Sequence, residues 1–176
     1  MLLKNHVERF DEIYRIYEES FPPIERRTKE GQRAVMEHPY YRVRVMEEEG
    51  KILAFVGYWE LPSCLFLEHL ATTEACRGKG YGKILVEECV EETTNPVFLE
   101  IEPVTEADPM TARRAGFYQR IGFYINRFPY EQMPLKQGDA PIPLWVMSYG
   151  GVIGEKEFQP FKKEIYRYVY QVEDGI

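Results

Sequence analysis

The sequence predicts one α/β domain built on a mixed sheet. Three observations point there. The hydrophobic period changes from helical to strand-like at Tyr41. Beyond the third strand, helices and strands alternate. No repeat, low-complexity tract or linker interrupts the 176 residues. At 44% hydrophobic and 14% aromatic, with thirteen Tyr, the chain has ample material for a core. Twenty-two Lys+Arg against twenty-nine Asp+Glu leave a net charge of −7, which argues against a nucleic-acid partner, since that needs a basic face.

The elements follow in order. Val7, Phe10, Ile13, Tyr14 and Tyr17 fall at three- and four-residue steps, predicting a helix over His6 to Ser20, stopped by Phe21-Pro22-Pro23. A second, charged helix is expected over Ile24 to Glu37, ended by His38-Pro39. Alternation from Tyr41 to Glu47 and from Lys51 to Leu61, about the turn Glu49-Gly50, predicts an antiparallel hairpin. Cys64 to Thr73 reads as a third strand, and Tyr81 to Glu92 as a helix with Ile84, Leu85, Cys89 and Val90 inward. A strand Val97 to Glu102, a helix Thr105 to Ile121 and a strand Phe123 to Phe128 come next. A polar loop over Pro129 to Pro141 precedes the strand Ile142 to Tyr149. The segment Glu155 to Val172 sets Phe158, Phe161, Ile165, Tyr168 and Val172 on one helical face, able to pack on the chain's own sheet or to support a homodimer.

No apolar run approaches the roughly 18 residues of a membrane span, and Met1 to His6 turns polar too early for a signal peptide. Cys64, Cys76 and Cys89 are odd in number and have neither disulfide-framework nor zinc-site spacing, so they are expected as buried apolar residues in a cytoplasmic protein. The histidines lie far apart, and no metal is expected.

The feature that carries chemistry is Arg77-Gly78-Lys79-Gly80-Tyr81-Gly82, between a strand and a helix. Glycines let successive amides point into one concavity, and a helix N-terminus adds unpaired N–H groups and its positive dipole end. With Arg77, Lys79 and Lys83 this is a local basic patch suited to a pyrophosphate. The run lacks the spacing of a P-loop, and Lys83 stands where a dinucleotide fingerprint needs its third glycine.

These residues match the fixed positions of the Q/R-x-x-G-x-G/A motif, and the chain resembles the GNAT superfamily of N-acetyltransferases. Leu67-Glu68-His69-Leu70-Ala71-Thr72 resembles its cofactor-side strand, and Ala115 to Phe123 its second signature, a helix tyrosine followed by Gly-Phe. The resemblance covers residues 5 to 150 in element order. It implies a mostly antiparallel sheet with one splayed parallel pair, here the strands ending at Thr72 and starting at Val97. It also implies acetyl-CoA as co-substrate, with Leu70, Ala71 and Thr72 pairing with the pantetheine arm. Arg77, Gly78, Lys79, Gly80, Tyr81, Gly82 and Lys83 would hold the pyrophosphate. Residues 1–150 would form the acetyltransferase domain and 151–176 a helical extension packed on it. Where family members often carry Asn, seven places before the tyrosine, this chain has Thr111.

The implied reaction is direct acetyl transfer to a primary amine, most simply of a small molecule. An alkyl ammonium has a pKa of about 10.4 and must lose a proton before attack. Tyr118 holds the place of the general acid, and a phenol of pKa about 10 can protonate the departing thiolate. For the base the sequence favours Glu68, placed by two-residue alternation on one face with Leu70 and Thr72 and opposite His69. Glu100, Glu102 and water are the other candidates. The Leu70 amide could stabilise the oxyanion. Phe21 to Arg27 resembles the segment that walls the family's acceptor pocket, and the glutamates lean toward a cationic acceptor. The competing class is a catalytically silent acyl-CoA-binding module, which would keep the loop without needing Tyr118.

Overall fold

The amphipathic stripe near the N-terminus forms α1, Phe10–Ser20, burying Phe10, Ile13, Ile16 and Tyr17. The structure, a computed structural model, describes residues 1–173. The helix begins four residues later than the pattern predicts, because the preceding segment is tied elsewhere. The His6 ring bonds the carbonyls of Leu3 (3.1 Å) and Met36 (2.7 Å), and the Leu3 amide donates to the Val43 carbonyl.

The expected second helix is two pieces: a 3-10 turn at Pro23–Glu25 and α2, Lys29–Met36. Thr28 caps α2 by accepting the Gly31 amide at 3.0 Å, leaving Arg26 and Arg27 outside the helix. That break turns the Arg27 side chain into the protein, where it is buried.

Six strands form the main sheet: β1 Tyr41–Glu48, β2 Lys51–Glu60, β3 Leu65–Thr72, β4 Val97–Ile101, β5 Phe123–Asn126 and β8 Trp145–Tyr149. Their order is β1-β2-β3-β4-β8-β5, antiparallel except for the parallel pair β3–β4. Two short strands, β6 Glu131–Gln132 and β7 Ile142–Pro143, pair separately. The expected strand Ile142 to Tyr149 is thus divided at Leu144, whose amide donates to the Tyr130 carbonyl.

One face of the sheet carries α3, Tyr81–Glu91, and α4, Pro109–Ile121. Leu85, Val86, Cys89 and Val90 form the inner face of α3; Ile84, expected inward, is 40% exposed because the stripe lies one position further round. α4 starts at Pro109 rather than near Thr105, since Asp108 caps the Met110 amide (3.0 Å) and proline fits the first helical position. The other face packs α1 and α5, Glu155–Tyr168, whose Phe158 and Ile165 are buried in the same core as Phe66 and Phe98. The C-terminal stripe is therefore used on its own chain. Cys64, Cys76 and Cys89 are unpaired and buried. Among the described residues no helix is long and apolar enough to cross a membrane.

The pairing of β3 with β2 contains an irregularity that places the site. His69 lies opposite Gly57 and Leu67 opposite Tyr58, so Glu68 is an extra residue, a β-bulge. The side-chain phase reverses there. Leu65 and Leu67 face the α3 layer, Phe66 faces the α1 layer, and beyond the bulge Leu70 faces α3 while Ala71 faces α1. The expected geometry, with Glu68 on one face with Leu70 and Thr72 and opposite His69, is overturned. Glu68 and His69 both turn to the α1 layer: the His69 ring meets those of Tyr17 and Phe21 (centroids at 4.9 and 4.8 Å), and Glu68 meets Arg27 and Trp59.

Candidate active site

The parallel ladder is short. β3 and β4 pair only from Leu65, Phe66 and Leu67 to Val97, Phe98 and Leu99. It stops at the bulge, where extra local twist swings the rest of β3 away. Glu68 to Thr72 stay paired with β2 through His69, Leu70, Ala71 and Thr72, and their other edge has no strand partner among the described residues. Leu70 thus lines a slot with Leu67, Val86, Leu99, Glu100 and Tyr118, and Ala71 and Thr72 continue the same unpaired edge. A free strand edge can accept an extended chain of alternating donors and acceptors.

At the head of the slot β3 passes through the turn Glu74–Cys76 into the glycine loop. Gly78 and Gly80 have φ of 80° and 82°, a region that side chains with a Cβ rarely occupy. Gly80 caps α3, and among the described residues the amides of Gly78, Gly80, Tyr81, Gly82 and Lys83 have no protein acceptor. Arg77, Lys79 and Lys83 are exposed around this nest, Lys83 lying 3.6 Å from Glu87. The Tyr81 hydroxyl is used on Glu48 at 2.6 Å, so Tyr81 offers its amide rather than its side chain. The donor set and the free edge fit a diphosphate followed by an extended amide-bearing arm.

Beside the slot opens a cavity of about 570 Å³. Tyr118 of α4 borders both; Phe117 and Phe123 pack edge-on against its ring, with centroids at 5.0 and 5.9 Å. Burial pushes the Tyr118 hydroxyl up to about 12, so it stays protonated at neutral pH. Among the described residues no group hydrogen-bonds to it.

Four carboxylates line the cavity, in different states. Glu68 is held by Arg27 Nη2 at 2.5 Å and accepts the Trp59 indole N–H at 3.0 Å. Burial works to raise this carboxyl, but Arg27 and then His69 outweigh it and hold it well below the usual range. Among the described residues Glu100 has no ion-pair partner; it accepts from the hydroxyls of Tyr130 (2.5 Å) and Tyr170 (2.8 and 2.7 Å). Burial dominates those bonds and pushes it up to about 7. Glu102 is ion-paired with Arg114 at the mouth. Glu25 has no partner among the described residues, and burial followed by repulsion from Glu102 raises it.

The cavity is walled further by Phe21, Pro22 and Ile24, so the segment after α1 does lie against it. Thr111, at the family's Asn position, ties the loop before α4, accepting the Thr105 amide at 3.0 Å and donating to the Asp108 carbonyl at 2.7 Å. Sequence reasoning placed Arg27 in the wall segment without its pairing to Glu68, and missed Trp59, Tyr130 and Tyr170. Tyr130 and Tyr170 are two of thirteen tyrosines, far along the chain from Glu68, and no local motif links Arg27 or Trp59 to that glutamate.

The fold and the paired slot and cavity define an acyltransferase scaffold. Residues 10–123 match the Acetyltransferase (GNAT) family, and the chain belongs to it. A GNAT-family structure from Bacteroides thetaiotaomicron superposes with a TM-score of 0.85 at 30% identity, covering 98% of each chain. The protein YjbC of Bacillus subtilis (strain 168) is 32% identical over 110 residues, 62% of this chain; the match spans 55% of that relative. A Bacillus subtilis acetyltransferase in complex with CoA shares the fold, with a TM-score of 0.55 at 13% identity over 81% of this chain and 93% of that one. Acetyl transfer is the chemistry of this family, and acetyl-CoA is the co-substrate consistent with membership.

Proposed function

We propose that the chain transfers an acetyl group from acetyl-CoA to a primary amine bound in the cavity, by direct attack. One observation carries this reading. Tyr118 and Glu100 border both the slot and the cavity, and burial drives them to complementary states: it keeps Tyr118 protonated and pushes Glu100 up to about 7.

The amides of Gly78, Gly80, Tyr81, Gly82 and Lys83 bind the pyrophosphate, with Arg77 and Lys79 adding charge, and the edge of Leu70, Ala71 and Thr72 aligns the pantetheine arm. When bound, acetyl-CoA supplies a thioester carbonyl open to attack. Glu100 takes the proton from the ammonium, and Tyr118 gives its proton to the departing sulfur. Glu68, which the sequence favours as base, fits less well: a carboxylate stabilised by Arg27 and Trp59 has little affinity for a proton. It serves as a buried anchor for that wall.

The acceptor is a cationic small molecule. The volume is that of a small-molecule site, and Glu25 is a half-buried carboxylate with no ion-pair partner among the described residues. Arg114 and Arg27 are each engaged by a glutamate, so among the described residues no unpaired arginine or lysine lines the cavity to face an acceptor carboxylate.

Thiol release from acetyl-CoA across a panel of cationic, neutral and anionic amines tests the reading. Glu100→Gln and Tyr118→Phe should each lower turnover about 10²–10⁴-fold while CoA binding persists. Wild-type turnover in both variants would remove the acid–base assignment. CoA binding without turnover of any amine would leave only a silent binding module.

A further inference from the structure

The base depends on groups that lie outside residues 10–123, the part that matches the family. Tyr130 stands just before β6, and Tyr170 two residues beyond the end of α5. Both side chains are buried, and both hydroxyls end on Glu100: Tyr130 on Oε1 at 2.5 Å, Tyr170 across Oε1 and Oε2 at 2.8 and 2.7 Å. The same terminal segment makes a second contact with the cavity wall, since the Val169 carbonyl accepts from Arg27 at 3.3 Å, behind the Arg27–Glu68 pair.

We propose that the segment following α5 is a working part of the active site, in which Tyr170, together with Tyr130, is a positioning residue that fixes the Glu100 carboxylate and keeps it able to accept the amine proton. The inference rests on Glu100 being the base. Its physical ground is the conflict at that carboxyl. A desolvated carboxylate without a cation drifts to the protonated form, which cannot act as a base. Hydroxyl donors favour the charged form and oppose that drift. The remaining charged groups near Glu100 pull in opposite directions: Glu68 of β3 raises it and Arg27 lowers it. His69, Tyr118 and Arg114 share the cavity without bonding to it. The tyrosines are the groups in direct hydrogen-bond contact. Burial and then the Glu100 charge hold both hydroxyls well above their ordinary value, so they remain donors.

The test is a direct titration of Glu100 in the full chain, by carbon-13 NMR of protein labelled at the glutamate carboxyl. The Glu100 resonance is assigned by its loss in Glu100→Gln. The wild-type midpoint should fall at about 7. Tyr170→Phe keeps the ring and removes the hydroxyl, and should move the midpoint up by about one unit, as should Tyr130→Phe. The acidic limb of the kcat/KM profile for thiol release, with the best amine of the panel, should move by the same amount. At pH 6.5 that is a loss of about eightfold. Tyr168→Phe, at the last residue of α5 and packed on His38 and Tyr40, should move neither.

A midpoint unmoved in both tyrosine variants overturns the inference, whatever Glu100 does in turnover. Full turnover in Glu100→Gln removes the base assignment and with it the catalytic role of the tyrosines, even where the midpoint moves. Loss of turnover in Glu100→Gln with a shifted midpoint and a matching limb supports both.

Discussion

The glycine loop and the acceptor cavity are built on opposite principles. The loop is made of backbone: the free amides of Gly78 and of Gly80 to Lys83, two positive φ angles and one helix N-terminus. The cavity is made of side chains brought from the turn after α1, from β3, β4 and α4, and from the segments near β6 and β7. Backbone chemistry needs contiguity, so its site is one run of sequence. Side-chain chemistry needs only convergence, so its parts are scattered over the chain. The loop should therefore tolerate changes in its side chains better than changes in its glycines. The cavity should fail when any one of several distant partners is removed.

Arg27→Met gives the largest expected effect. It strands Glu68 as a buried carboxylate without its cation, and unfolding by denaturant should show a loss of about 3–5 kcal/mol near pH 7. Glu68 is depressed in the folded protein, so this stabilisation is present above the unfolded value of about 4.3 and disappears as pH falls through the folded one. The gap between variant and wild type should close toward acid; a gap independent of pH would detach the ion pair from the effect.

Gly80→Val addresses the other region. A β-branched residue at a φ of 82° costs about 1–2 kcal/mol, and the loop escapes by leaving that conformation. Titration calorimetry should show acetyl-CoA binding about tenfold weaker, with the acceptor KM little changed. An equal change in both would show that the two regions are not separable. The smallest effect belongs to Glu25→Gln, which should raise the KM of a cationic amine about threefold to fivefold and leave that of a neutral amine alone. A neutral amine affected to the same degree would make Glu25 a wall rather than a charge sensor.

The same contrast explains what could be read from the chain in advance. The order of elements and the loop were legible because period and glycine spacing are local. Helix starts were less legible: the patterns from Ile24 and Thr105 ran past the side-chain caps Thr28 and Asp108, which set the true starts of α2 and α4. The state of the carboxylates was not. Glu68 and Glu100 look alike as strand glutamates beside apolar neighbours, and their fates are decided by Arg27 on one side and Tyr130 and Tyr170 on the other. No rule of periodicity links residue 27 to 68, or 170 to 100. The bulge hid the rest, because alternation counted along β3 assigns Glu68 to the wrong layer.

That bulge also matters to anyone who mutates the strand systematically. It acts as a phase shift in a code of period two. On the α3 side the tolerated substitutions should track odd positions up to Leu67 and even positions from Leu70 onward, and the reverse on the α1 side. A library that randomises every second residue of β3 to reshape the pocket would, past residue 68, be editing the opposite wall.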